Sequence, residues 1–335
     1  MADKLMVYTD SPVANQTQLP AKLREYYDRN LLDNAVEELL VEPYASKKSL
    51  PKFTGDDVRF SRYERLPNFN DTALVEGVTP DDTPLVKTDV ETTAQDFGQW
   101  IGFTDKIIVA HEDGQRLIKT MSDELGKSAG ESQENLIFTA LDAGTNVLFA
   151  DGATDVAAVI ANGSKITSSD IKIMQTSLRN QIAKKFNAII TGTTKVGTQP
   201  IAESYIGFCH PNVVADLEDL VGWSALHTYA DHTKGQKGEV GAVGKFRIIE
   251  TTLTPIDVVT DPATPVYSSF FFGEESFARV SVRGKKAPTF IFKNVGNGGS
   301  EDPLDQRGSS GVKFSHAAVI LNDAWLIKAL STSSL

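Results

Sequence analysis

The chain has 335 residues, 41% hydrophobic and 23% charged, which is enough to bury one large or two modest cores. With 33 basic against 44 acidic residues the net charge is −11 and the pI about 5.0, excluding the broad basic face of sequence-specific DNA binders. A single cysteine, Cys209, excludes an intrachain disulfide and a Cys-rich metal site.

The opening MADKLMVYTD has neither a basic n-region nor an apolar stretch, so no signal peptide is expected. No run approaches the ~18 apolar residues of a membrane span, so a soluble product made in the cytoplasm is the expectation. Residues 1–54 read as an arm. Its first part, including TDSPVANQTQLP, is polar and interrupted by proline. A helix is expected over about 21–41, with Leu23, Tyr27, Leu31, Val36, Leu39 and Leu40 at helical spacing. A helix that short and isolated is marginal in water and needs a surface to lie on.

Residues 57–63 alternate through Val58 and Phe60, which predicts a strand. A second strand region covers 85–104. There Val86, Thr88, Val90 and Thr92 share one face, and Phe97, Gln99, Ile101 and Phe103 continue the period of two. The stretch between them is rich in Asn, Asp, Thr, Pro and Gly, which is loop chemistry. Residues 55–105 therefore form a β-excursion whose loop exceeds hairpin length, and such loops are commonly functional or partner-bound.

A helix is expected over about 114–148, with Ile118, Met121, Leu125, Ala129, Leu136, Ala140 and Leu141 on its apolar stripe. It would be about 50 Å long at ~1.5 Å per residue, with Gly126 and Gly130 permitting bending or close packing. Residues 150–166 read as a connection with short strands. Ser168–Asp170 cap a helix with Ile171, Met174, Leu178 and Ile182 on one face. The apolar strand 205–210 leads to Pro211, suited to the first position of a helix through Leu220. Residues 222–245 are loop-like. Strands follow at 246–251, 266–272, 277–282 and 289–293, and closing apolar segments at 312–321 and 324–330. The class is α+β.

This order of pieces resembles the Hong Kong 97-type capsid fold. Several motifs are similar to those of the N-four-type major capsid proteins of tailed phages. They include VRFSRYERLP (58–67), TALVEGVTP (72–80), GQWIGFTD (98–105) and LDAGTNVLFA (141–150). Further on are HPNVVADL (210–217), YADHTKGQKGEVGAVGKFRIIET (229–251), VYSSFFFGEESF (266–277), DPLDQRGSSGVKF (302–314) and ILNDAW (320–325). The likeness spans about 20–330, with 253–265 fitting the pattern less well, as a surface insertion would.

The resemblance implies an N-terminal arm (1–54) and an extended β-loop (55–105) lying across an adjacent subunit. It also implies a spine helix (106–149) in a peripheral domain completed by return strands (286–335), and an axial domain (150–285). It implies self-assembly as pentamers and hexamers into an icosahedral virion shell around double-stranded DNA, held without sequence specificity. Portal, scaffolding and decoration proteins would be further partners, with no membrane. The alternative of the same fold is an encapsulin-like nanocompartment shell enclosing protein. A soluble hydrolase is a third reading, opposed by histidines that fall in no motif.

Assembly residues are expected on the excursion: Arg59, Arg62 and Arg65 as a basic stripe, Glu76, Gly77 and Pro80 at the loop tip, and Trp100 as an anchor. No catalytic, cofactor-binding or metal-binding residue is expected. His227 and His232 flank Asp231, but the spacing matches no standard zinc site. Cys209 and His210 are adjacent on a strand and point to opposite faces, so a buried thiol is expected rather than a nucleophile. Gly238, Gly241 and Gly244 do not make a phosphate-binding loop. The acidic pairs Asp56–Asp57, Asp81–Asp82 and Glu274–Glu275 read as solvated turns, and Glu301–Asp302 as an outside candidate for intersubunit calcium. Some members of the fold crosslink Lys to Asn. Lys87 and Asn322 are candidates here, but no motif selects them and no crosslink is expected.

Overall fold

The computed structural model describes residues 40–50, 55–66, 76–77, 79, 82–110, 114–186, 203–228, 235–258, 260–282, 288–296, 304 and 306–335. The helix expected over 21–41 lies outside them but for its last two residues.

In chain order the described elements are β1 (Ser46–Leu50), β2 (Asp57–Tyr63), β3 (Lys87–Thr93), β4 (Gln95–Thr104), α1 (Asp105–Ala110) and α2 (Gly114–Asp142). Then come β5 (Val147–Phe149), α3 (Val156–Asn162), α4 (Ser168–Asn180), β6 (Tyr205–Cys209), α5 (Pro211–Glu218) and β7 (Trp223–Ala225). The rest are β8 (Glu239–Val243), β9 (Phe246–Glu250), β10 (Ile256–Asp257), β11 (Val266–Phe272), β12 (Phe277–Val282), β13 (Thr289–Lys293), β14 (Arg307–Ile320) and β15 (Leu326–Ser331).

The larger sheet has the order β5-β15-β11-β6-β9-β8-β7, with β10 on the edge of β11. Its centre is β11, VYSSFFF, buried at all seven positions, as a near-continuous apolar strand covered on both faces must be. Phe271 faces a core made with α4 and α5, through Met174, Leu178, Val213 and Leu217. Phe270 and Phe272 face the opposite core, shared with Ile137, Phe138 and Leu141 of α2. Phe271 sits opposite Gly207 of β6, where any Cβ would come within 2.8 Å of its ring, so the glycine is what lets the phenylalanine lie flat.

The smaller sheet is built on the 14-residue β14. Its first ten residues pair with β4 on one side, its middle with β13, and its last four with β12, which also pairs with β1. The N-terminal half of α2 packs on this sheet through Ile118, Leu125 and Ala129 against Phe290, Val312 and Phe314. At about 44 Å for its 29 residues, α2 spans both sheets and ties them together.

Local chemistry explains where elements differ from expectation. The long helix stops at Asp142 rather than 148. Gly144 turns the chain, its N–H bonded to the Leu141 carbonyl at 3.0 Å, and Val147–Phe149 then add as a parallel edge strand to β15. Residues 150–166 hold helix α3 instead of short strands, because Asp155 accepts the Ala158 N–H and Gly163 supplies a left-handed C-cap. Thr167, not Ser168, caps α4, with Asp170 closing a capping box. Ile182 lies past the end of α4 and is exposed, off the buried face of Ile171, Met174 and Leu178. Residues 222–245 contain β7 and β8 rather than a loop, organised around a buried ion pair between Glu239 and Arg247 (Oε1 to Nε, 2.7 Å) that needs both residues in register. The 55–105 excursion divides at Ala94: β2 and β3 make a separate hairpin, while β4 belongs to the smaller sheet.

Candidate assembly surfaces

The hairpin β2–β3 pairs Asp57↔Thr93 through Tyr63↔Lys87 as a two-stranded sheet of its own. Near its root, Val58, Phe60 and Ala94 pack on Val280 and Ala317 of β12 and β14. Its outward face carries a ladder of ion pairs, Arg59 with Glu91 and Lys87 with Asp89 at 3.0 Å. Beyond the packed root, Tyr63, Leu66, Leu85 and Val86 are each at least half exposed. Together they form an apolar end that the described residues leave largely exposed.

Within β2, alternation places Arg62 on the face of Val58 and Phe60 and Arg59 on the other, while Arg65 lies past the strand's end. All three border one cleft, and Arg59 is engaged within its own hairpin by Glu91. Beneath the hairpin is a cleft of about 780 Å³, lined on the hairpin side by Arg62, Glu64 and Val90 and on the body side by Lys48, Asn322 and Trp325. Glu76 and Gly77 are exposed, and Gly77 takes a φ of +81°, a turn conformation suited to glycine. Pro80 lies outside the described residues.

Trp100 projects from β4 and is 72% exposed. It sits on the face of the smaller sheet opposite α2. Its cross-strand partner is Gly311, and its ring covers Gly102, where a Cβ would fall 2.9 Å from it. Glycines at 98, 102 and 311 keep this face flat, a pattern that admits close approach of another backbone. The other edge of β4 carries no strand among the described residues, leaving open donors and acceptors beside a 450 Å³ groove against α2.

The reactive-looking groups are held inert. Cys209 is fully buried, and burial pushes its thiol up to about 12, so no thiolate forms at neutral pH. His210 caps α5 through Nδ1, which accepts the Asn212 N–H at 3.2 Å, and its ring lies 4.7 Å from that of Tyr267. Burial lowers its pKa. His316 is 2% exposed, and burial, then the charge of Arg279, brings it down to about 3. His227 is exposed, while His111, His232, Asp231, Asp81 and the Glu301–Asp302 pair lie outside the described residues. Glu275 pairs with Lys184. Among the described residues no group of three or more His, Cys, Asp or Glu is placed to hold a metal, and no helix is long and apolar enough to cross a membrane.

Sequence reasoning missed the buried polar residues Gln133, Glu134, Glu239 and Arg247. For Gln133 and Glu134 a signal existed: Gln133 sits four residues from Ala129 and Ile137, and Glu134 three and four from Ile137 and Phe138, on the apolar stripe of α2.

Residues 87–329 match the family model described as phage capsid protein. The major capsid protein of Pseudomonas phage KPP21 is 22% identical over 231 residues, covering 61% of this chain and 57% of that protein. The matched region thus spans little more than half the length of that relative. The capsid of Ralstonia phage GP4 superposes with a TM-score of 0.64 at 17% identity, covering 87% of this chain and 88% of the other. The head of Helicobacter pylori bacteriophage KHP40 superposes with a TM-score of 0.59 at 14% identity, covering 88% and 89%. The mixed α+β fold is shared with these capsid subunits.

Proposed function

Because the chain belongs to the phage capsid protein family, we propose that it is a major capsid protein of a phage virion, closing into an icosahedral head shell as pentamers and hexamers around double-stranded DNA. The observation that carries this beyond family membership is the uncovered apolar end of the hairpin, Tyr63, Leu66, Leu85 and Val86, together with the exposed Trp100. A single chain leaves these surfaces in water, and obligate interfaces commonly bury ~2,000 Å² or more of such surface.

In this reading residues 1–54 are the arm, 55–105 the extended loop region, 106–149 and 286–335 the peripheral domain with its spine α2, and 150–285 the axial domain around the symmetry axes. Arg62, Arg65, Glu76, Gly77, Pro80 and Trp100 face neighbouring copies, with Arg59 stiffening the loop. The net charge of −11 suits a wall that repels phosphates and does not trap its genome. Portal, scaffolding and decoration proteins complete the particle, and the role is structural, without catalysis.

The test is expression of the full chain followed by cryo-electron microscopy, beside a variant lacking residues 66–84. The intact chain should give closed shells and the deletion a folded subunit that does not close them. Normal shells from the deletion would refute the loop's role. Native particles filled with protein instead of double-stranded DNA would favour the nanocompartment.

A further inference from the structure

The first described residues enter the molecule at a buried junction. Val41 is fully buried, and Val41 and Ala45 join the core formed by Ile137, Phe138 and Leu141 of α2, Phe208 of β6, Ile249 of β9 and Phe277 of β12. Tyr44 packs edge-on to Phe186 and Phe208. This root of the arm is therefore wedged where the spine helix meets both sheets.

Two charged contacts hold the wedge. Glu134, buried on α2, receives the Val41 N–H on its Oε1 at 3.0 Å, and the Leu40 N–H donates to the same oxygen. On the next residue, Glu42 pairs with Arg279 of β12, itself 8% exposed. Arg279 in turn donates from Nη2 to Gln133 Oε1 at 2.7 Å, beside Glu134 on α2. Arm root, spine helix and smaller sheet are thus joined by one short chain of largely buried charge-assisted bonds, which are strong, directional and hard to rearrange piecemeal.

An apolar helix face needs neither Gln133 nor Glu134, and two polar residues there cost desolvation unless each holds something in place. What Glu134 holds is the main chain at Leu40 and Val41, the first residues described. We propose that Glu134 and Arg279 are positioning residues that fix the exit direction of the first forty residues and couple it to the tilt of α2. Each subunit then aims its arm according to the geometry of its own lattice site. This rests on the capsid reading for the arm's contact with a neighbour, while the clamp itself is a property of the single chain.

Two readouts separate the two. In the free full-length subunit, amide exchange at residues 40–45 should rise at least about tenfold in Glu134→Ala, as expected on loss of a charged acceptor, while β6 and β11 stay protected. In assembled material, Glu134→Ala should give shells of mixed size and shape, and Glu134→Gln, which keeps an acceptor oxygen, should restore uniform ones. Glu42→Gln, at a partly exposed position, tests the other half of the clamp without emptying the core and should also speed exchange at 40–45. Unchanged exchange at 40–45 in both Glu134→Ala and Glu42→Gln would overturn the clamp, and uniform shells from Glu134→Ala would overturn its role in aiming the arm. Failure of the unaltered chain to form any shell would instead count against the capsid reading and leave the exchange result standing.

Discussion

Strand β11 and each strand of the hairpin β2–β3 have seven residues and meet opposite fates. All seven residues of β11 are buried between two cores supplied by the chain's own helices. The hairpin only half-buries alternate residues near its root, then runs on with Tyr63 64% and Leu85 58% exposed. A hairpin alone is marginal in water. The molecule thus divides into a part whose stability is internal and a part with little cover from the described residues, and mutations in the two should register in different experiments.

The largest effect is expected inside the first part. Phe271→Ala removes a fully buried ring stacked edge-on at 4.9 Å from Phe246. It should cost about 3–5 kcal/mol, read as a lowered denaturant midpoint of the free subunit. Assembly would be lost only because folding is. Close behind is the Glu239–Arg247 pair, with side chains 0% and 1% exposed. Truncating either partner alone leaves a buried charge without its counterpart and should cost about 3–5 kcal/mol, whereas replacing both with apolar residues of like volume should recover most of it.

A third effect is conditional on pH. His316 falls to about 3 in the folded chain, from an ordinary 6.5, because its site is desolvated and Arg279 is near. The folded state thus keeps it neutral while the unfolded chain takes up the proton below about pH 6.5. The stability this site contributes is complete above that pH and is lost progressively down to about pH 3. At pH 5 the penalty should be about 2 kcal/mol. Chemical denaturation of the free subunit at pH 7 and pH 5 measures it. In His316→Gln that difference should shrink, and an unchanged slope would mean that another group carries it.

Legibility in the sequence follows the same division. Strands with a clear apolar period or run, such as Phe246–Glu250, Val266–Phe272 and Thr289–Lys293, fall where the pattern places them because their burial is dictated by their own side chains. The ends were harder. Helix α2 stops at Asp142, where Gly144 turns the chain through a backbone hydrogen bond, and Thr167 rather than Ser168 caps α4 through its side chain; such single bonds are not registered by periodicity. Strands β7 and β8 were invisible for a deeper reason. Glu239 and Gly241 suit a strand only once the Arg247 guanidinium binds Glu239 and the Trp223 ring lies against Gly241, and such contacts are tertiary. Of the surface residues, Trp100 stood out by type, but its glycine-floored setting needed the register with β14.

The smallest effect on folding sharpens the comparison most. Trp100 and Leu85 are largely in water in the single chain, so replacing each with alanine should change the free subunit's stability by no more than about 0.5 kcal/mol. Yet if these side chains are anchors between copies, the same substitutions should raise the concentration needed for shell closure severalfold, since buried aromatic anchors dominate interface energy. The double variant decides between two arrangements. Should Leu85 of one copy meet Trp100 of another, the two losses would fall short of adding, because each already removes the shared contact. Strictly additive losses would place them in separate interfaces. The hairpin end and the flat sheet face would then be covered by different neighbours, a head-to-tail lattice in which no single contact carries closure.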